Sequence, residues 1–408
     1  MIAAPLDSPA PAAASGVTAP GGFRAAAVAS GIKPQGLDLA LVVADGACAA
    51  AGVFTRNRAQ AAPVLVSREH LAGGQARAVV INAGCANAAT GEAGLRDARE
   101  TAHLVAEEIG CRPTDVVVGS TGVIGVAVPM AALRRGVPRA AAELAREGGA
   151  LAARAIMTTD TRPKEVVVDF ALDGRTARVG GMAKGAGMIA PNMATMLCVL
   201  TTDAGVAPPL LASALREAVG ESLNRITVDG DTSTNDMAVV LASGAAPAAP
   251  ILGAGPGYDA FRGALTRAAR DLAEKIVRDG EGASRLAEVR VEGAATPGDA
   301  DRIARTIAES PLVKTALHGG DPNWGRILAA VGRSGVAVDI DRLDIHLGPV
   351  WVAEGGRARA YDEDQAHGAM MADPVRIRVD LHAGKGGGWM WTCDLTRAYV
   401  DINAHYRS

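Results

Sequence analysis

Residues 180–203 read G-G-M-A-K-G-A-G-M-I-A-P-N-M-A-T-M-L-C-V-L-T-T-D. Glycines 180, 181, 185 and 187 surround Lys184, Pro191-Asn192 makes a turn, and Ala194-Thr195 opens an apolar run with the β-branched and apolar character of a strand. Read locally, this is a glycine-rich loop between two strands with Thr195 as an ordinary strand residue. The chemical reading is more specific. A threonine hydroxyl is a weak nucleophile without a base beside it, and an N-terminal threonine carries that base as its own amine. An α-amine has an ordinary pKa of about 8, close enough to neutrality that about a tenth of it is neutral at pH 7 and able to accept a proton. Thr195 gains this property only if the Ala194–Thr195 bond is cut, and a turn flanked by glycines gives the backbone freedom for that self-attack.

Working outward, apolar β-rich runs alternate with amphipathic helical stretches, which predicts an α/β or α+β protein. Strands are expected at Ala78–Asn82, Asp115–Gly119, Glu165–Ala171, Thr195–Leu200 and Met237–Ala242. Leu95, Ala98, Ala102, Val105 and Ile109 share a helical face, as do Leu211, Leu215 and Val219, and Phe261, Leu265, Ala268, Leu272 and Ile276. Gly/Pro/Ala-rich stretches at Ser243–Tyr258 and Glu292–Gly298 suggest boundaries. Beyond Asp301 a helix to Glu309, the loop H-G-G-D-P-N-W-G-R and runs at Val336–Ile340, Asp344–Val352 and Val375–Leu381 predict a smaller C-terminal domain. Residues 1–22, rich in Ala, Pro and Ser, read as a disordered lead-in without the pattern of a secretory signal. The expected division is 23–194 and 195–290 for the two parts of a main domain, then 291–408 for the smaller one.

Bulk properties narrow the function. A formal charge of −3 in 408 residues leaves no basic footprint for nucleic acid. No apolar run reaches the roughly 20 residues needed to cross a bilayer. The five cysteines are scattered with no C-x-x-C pair, and the seven histidines show no metal-binding spacing, so a reducing cytoplasm and no metal site are expected.

A second chemical segment is Val116–Pro129, V-V-V-G-S-T-G-V-I-G-V-A-V-P. A strand runs into Gly119, Ser120, Thr121, Gly122 and Gly125, where backbone N–H groups can converge on an anion. For acyl transfer these would hold the oxyanion of a tetrahedral intermediate, each donor contributing about 3 kcal/mol. The spacing fits neither a P-loop nor a dinucleotide fingerprint.

Six motifs taken together resemble the ornithine acetyltransferase family: S-T-G-V-I-G (120–125), M-T-T-D-T (157–161), K-G-A-G-M-I-A-P-N-M-A-T-M-L (184–197), N-R-I-T-V-D-G-D-T-S-T-N-D (224–236), D-G-E-G-A-S-R (279–285) and H-G-G-D-P-N-W-G-R (318–326). The resemblance runs from about Gly22 to Ser408. It departs from the common family pattern at Ala190, where many members have His, and at Cys85, where Asn is frequent.

What the resemblance implies is a self-cleaving N-terminal-nucleophile fold, an αββα sandwich with a smaller C-terminal α/β domain. Cleavage would fall between Ala194 and Thr195, giving an α and a β chain that assemble as α2β2. Thr195 would take the acetyl group, with Thr121 and Gly122 as the oxyanion hole. Thr158, Lys184, Glu281, Asn403 and Ser408, together with Thr195, would contact substrate. The implied reaction is a ping-pong transfer of acetyl from N-acetylornithine to glutamate in arginine biosynthesis, with no cofactor and with acetyl-CoA as an optional second donor. An N-terminal-nucleophile aminopeptidase shares the cleavage but has no use for a glutamate acceptor. A non-catalytic binding protein would stay one chain.

Overall fold

The computed structural model describes residues 14–190 and 196–405. The strands of its first part are β1 (Phe23–Val28), β2 (Leu39–Phe54), β3 (Gln75–Cys85), β4 (Val116–Val123), β5 (Lys164–Leu172), β6 (Arg175–Lys184), β7 (Leu197–Thr202), β8 (Ile226–Thr227) and β9 (Met237–Ala242). Its helices are α1 (Ala62–His70), α2 (Gly91–Ile109), α3 (Met130–Ala142), α4 (Gly149–Ala155), α5 (Pro208–Gly220) and α6 (Pro256–Arg278). One sheet runs in the order β4-β3-β2-β9-β7-β6-β5, with β1 added to β2.

The long strand β2 makes two layers out of this sheet. Its first half pairs with β1 and β3, its second half pairs with β9, and its pairing with β3 slips between Val43 and Cys48. The period-2 alternation of strands then sorts the side chains into three cores. Ala25, Ala40, Val42, Val79, Ile81 and Val117 from one half meet Met182, Leu197, Val199, Val239 and Leu241 from the other in a central core. Ala26, Leu39, Leu41, Ala78, Val80 and Val118 face outward onto α2 and α3. Ala183, Cys198, Leu200, Ala238 and Val240 face outward onto α5 and α6. The result is a helix–sheet–sheet–helix sandwich. Alanine recurs in the central core, which suits two β-layers in close contact.

The second part holds β10 (Leu286–Ala294), β11 (Asp344–Leu347), β12 (Val350–Glu354), β13 (Arg357–Ala358), β14 (Val375–Asp380) and β15 (Gly386–Cys393), with α7 (Pro297–Ala308), α8 (Pro311–Gly319), α9 (Trp324–Gly332), α10 (Glu363–Met370) and α11 (Arg397–His405). Its sheet runs β13-β12-β11-β14-β10-β15-β8, so the two-residue strand β8 reaches across from the first part. Val289, Val291, Ile345, Ile377 and Val379 pack there against Ile303, Ile307, Leu317 and Ile327 of the helices.

Four expectations change. The lead-in does not extend to Gly22: Gly16–Thr18 form a 3-10 turn in which Val17 and Thr18 are fully buried, and Thr201 Oγ1 donates to Val17 O at 2.8 Å. Ala/Pro composition concealed that anchor. Ser243–Tyr258 connects β9 to α6 within one core and marks no boundary. Asp344–Val352 is two strands, because Gly348 at φ +53° turns the chain between them. Val336–Ile340 forms no strand.

Candidate active site

The C-terminal ends of β4 and β6 converge with the segment before β9, the loop after α6 and the tail helix α11. Thr121, Gly122, Thr158, Lys184, Glu281 and Asn403 line one cleft there. These are the six sequence-predicted site residues that fall within the described residues. Ala194, Thr195 and Ser408 lie outside them. Met196 and Leu197 line the same cleft.

Lys184 ends β6 and is buried, with Nζ donating to Thr158 Oγ1 at 2.7 Å and to Thr121 Oγ1 at 3.2 Å. Burial pushes the ammonium below its ordinary range, and the Asp160 carboxylate opposes that shift. Asp160 is the hub beneath it. Its Oδ1 accepts from Lys164 Nζ at 2.6 Å and from Gly185 N at 2.7 Å, and its Oδ2 accepts from Thr158 N at 3.0 Å. Burial works to raise its pKa, but Lys184, Lys164 and these hydrogen bonds prevail and bring it down to about 2. Lys164 also donates to Asp279 Oδ2 at 2.6 Å. One buried charge cluster therefore ties the Thr158 loop, the end of β6 and the end of α6 together.

Gly122 has φ +126°, and a Cβ there would overlap the backbone of Gly84 and Cys85. Only glycine lets the ends of β3 and β4 approach this closely. Asn235 Nδ2 braces the same corner, donating to Ala86 O at 2.6 Å and Ser120 O at 2.9 Å. The Ser120 hydroxyl is committed to Asn82 Oδ1 at 2.6 Å. Thr121 is thus the hydroxyl of this turn that faces the cleft.

Asp279 sets up the opposite wall, because the chain passes through Gly280 directly into Glu281. Glu281 N donates to Ala186 O at 2.8 Å, and Glu281 Oε2 accepts from Asn403 Nδ2 at 2.7 Å. Glu281 is buried while Asn403 is exposed on α11, a helix with no buried residues. A Cβ at Gly187 would overlap the Glu281 carboxylate. The segment leading toward Thr195 is clamped as well: Asp229 accepts from Met188 N at 2.6 Å and Ile189 N at 2.8 Å, and Thr232 Oγ1 donates to Ala190 O at 2.8 Å. Met188 sits at φ +56°, a costly conformation for a residue with a side chain.

Asp160, Asp229, Asp236 and Asp279 escaped the sequence reading as site residues. Each lies inside a quoted motif, so the signal was available: an invested carboxylate next to small and hydroxylic residues. Among the described residues, no group of His, Cys, Asp and Glu could hold a metal ion, and no helix is long and apolar enough to cross a membrane.

Comparison with known proteins gives a consistent picture. The family model described as "ArgJ family" matches residues 24–408. The arginine biosynthesis bifunctional protein ArgJ of Symbiobacterium thermophilum is 51% identical over 97% of this chain and 99% of its own length. The protein of the same name from Dehalococcoides mccartyi is 48% identical over 96% of both chains. Among solved structures, the Mycobacterium tuberculosis ornithine acetyltransferase complexed with ornithine is 48% identical, covering 44% of this chain and 96% of that one at a TM-score of 0.40. With a family match over nearly its whole length and relatives near half-identical throughout, this chain belongs to the ArgJ family.

Proposed function

We propose that this protein is a self-processed acetyltransferase of arginine biosynthesis that moves acetyl from N-acetylornithine to glutamate through Thr195. The observation that carries the reading is the convergence of Thr121, Gly122, Thr158, Lys184, Glu281 and Asn403 on one cleft that Met196 and Leu197 also line. The printed names of its relatives, bifunctional ArgJ proteins and an ornithine acetyltransferase, support the substrate class.

The chemistry is ordered by the cleft. In processing, Thr195 Oγ attacks the Ala194 carbonyl carbon, the peptide C–N bond breaks, and water hydrolyses the resulting ester to leave a free threonine amine. In transfer, Oγ attacks the acetyl carbonyl while its proton passes to that amine. As the acetyl–nitrogen bond breaks, the proton moves on to the departing ornithine amine. Glutamate then collects the acetyl group by the reverse chemistry. Thr121 and the Gly122 N–H stabilise the oxyanion, Glu281 meets the δ-ammonium, and Lys184 with Thr158 orients the carboxylate end. Acetyl-CoA is a second donor in this reading, no cofactor takes part, and two α and two β chains work in the cytoplasm.

A donor survey tests it. Purified protein given glutamate and N-acetylornithine forms N-acetylglutamate, and the same assay with acetyl-CoA measures the second activity. Hydrolysis of N-acetylornithine without transfer to glutamate would replace the transferase reading with a hydrolase.

A further inference from the structure

Lys33 has no part in the chemistry above and does not line the cleft, yet it holds a segment that does. It sits in the loop between β1 and β2, which folds around a single carboxylate. Asp38 is fully buried; its Oδ1 accepts from Ser30 N at 2.6 Å, and its Oδ2 accepts from Gly31 N at 3.0 Å, Ile32 N at 2.7 Å and Lys33 N at 2.9 Å. Four amides on one carboxylate fix the backbone at Lys33. The side chain then runs past the end of β3, where a Cβ at Gly84 would stand 3.1 Å from Lys33 Cγ, and Gly84 is the backbone against which Gly122 packs. At its tip, Nζ donates to Met157 O at 2.6 Å and to Leu37 O at 3.2 Å. Met157 O belongs to the same planar peptide as Thr158 N, and Thr158 N donates to Asp160 Oδ2 at 3.0 Å. That peptide is therefore held at both ends, its carbonyl by an ammonium and its amide by a carboxylate.

We infer that Lys33 is a positioning residue for Thr158: by holding the Met157 carbonyl it sets the plane of the peptide that carries Thr158, and so aims the Thr158 hydroxyl into the cleft. The inference rests on the acetyltransferase reading above, in which Thr158 contacts substrate. Thr158 Oγ1 accepts from Lys184 Nζ, which leaves its own proton for a second partner, and the direction that proton takes depends on where the backbone places the side chain. A charged donor suits this task, because its hydrogen bond is stronger than a neutral one. Burial pushes the Lys33 ammonium below its ordinary range; Asp38 and Asp160 oppose that shift and Lys184 adds to it. Lys33 is thus within electrostatic reach of the charge cluster under Lys184 and acts on substrate through Thr158. No bond forms or breaks at Lys33, and it exchanges no proton in the reaction.

The test is a double-mutant cycle of Lys33→Met and Thr158→Ala, each variant checked by intact mass for cleavage and assayed for acetyl transfer from N-acetylornithine to glutamate. Lys33→Met keeps the stem and removes the ammonium. It is expected to be cut like the wild type and to raise KM for N-acetylornithine about 10-fold with kcat within about threefold, the signature of a lost contact shared by ground and transition states. Thr158→Ala should do the same. In the Thr158→Ala background the Lys33 change should add less than about twofold, because a residue that works through Thr158 has nothing left to position. Lys33→Gln, polar and uncharged, carries the same cycle if Lys33→Met does not accumulate as folded protein. A loss that multiplies in the double variant would make Lys33 a general structural support, and a fall in kcat with unchanged KM would tie it to the chemical step. Unchanged kinetics would leave it without a role, and a folded but uncut variant would place it in processing; all four overturn the inference. Wild-type protein that transfers no acetyl, or a Thr158→Ala variant with wild-type KM, defeats the underlying reading instead.

Discussion

Lys184 Nζ donates to Thr121 Oγ1 across 3.2 Å, so the oxygen of Thr121 is occupied as an acceptor and its own hydroxyl proton is free for a second partner. A buried ammonium thereby polarises and orients the hydroxyl that stands next to Gly122. Such preorganised donors act on charge that develops in the transition state.

Thr121→Ala should therefore lower kcat by about 100- to 1000-fold, the range seen when one oxyanion donor is removed, with a smaller effect on KM. Steady-state kinetics with N-acetylornithine and glutamate separate the two. A poorer KM with unchanged turnover would make Thr121 a plain substrate contact.

Asp160→Asn should destabilise the protein by about 3 kcal/mol at neutral pH, because it breaks a buried ion cluster. Asp160 is held near 2 against an ordinary 3.8. The folded state thus favours its ionised form, and that stabilisation is present above the ordinary value and lost as pH falls toward 2. The shift corresponds to about 2 kcal/mol, so denaturation curves of wild type and variant should converge by that amount between pH 4 and pH 2. A constant gap would remove the carboxylate's charge from the explanation.

Gly187→Ala places a methyl group where the Glu281 carboxylate lies. Glu281 must shift, and the expected result is a KM for N-acetylornithine raised roughly 10-fold with melting temperature little changed, a loss of orientation at one contact. Unchanged kinetics would detach Glu281 from the substrate ammonium.

Removing residues 403–408 deletes the Asn403 bond to Glu281 and Ser408 with it. Processing should survive, since it needs no substrate, while acetyl transfer falls sharply. Because α11 buries none of its residues, the truncation should cost little stability. A truncated enzyme with wild-type kinetics would detach Asn403 and Ser408 from the site.

The sandwich was readable where apolar runs and helical spacing were strong. Met237–Ala242 was predicted to the residue, and the apolar faces of α2, α5 and α6 follow the spacing of Leu95, Leu211 and Phe261. The doubling of the sheet was not read from the residues, because it depends on one long strand serving both layers through a slip after Val43, and pairing register leaves little local trace. The same holds for the site. Lys184 and Thr121 stood out within glycine-rich motifs, whereas Asp160, Asp236 and Asp279 look like solvated carboxylates until the fold buries them, and Asp229 until the fold half-buries it. A carboxylate's role comes from what tertiary structure brings against it, as Asp160 shows with partners at positions 158, 164 and 185.

In the proposed mechanism, Thr195 becomes an N-terminal nucleophile and carries the acetyl group. Intact-mass spectrometry of the purified protein, incubated with N-acetylornithine and no glutamate, tests it directly. One fragment ending at Ala194 and one beginning at Thr195 are expected, with acetyl added to the second alone and mapped to its first residue. Thr195→Ala is expected to stay a single unlabelled and inactive chain. An intact wild-type chain that is fully active, or acetyl on the first fragment, would contradict this mechanism.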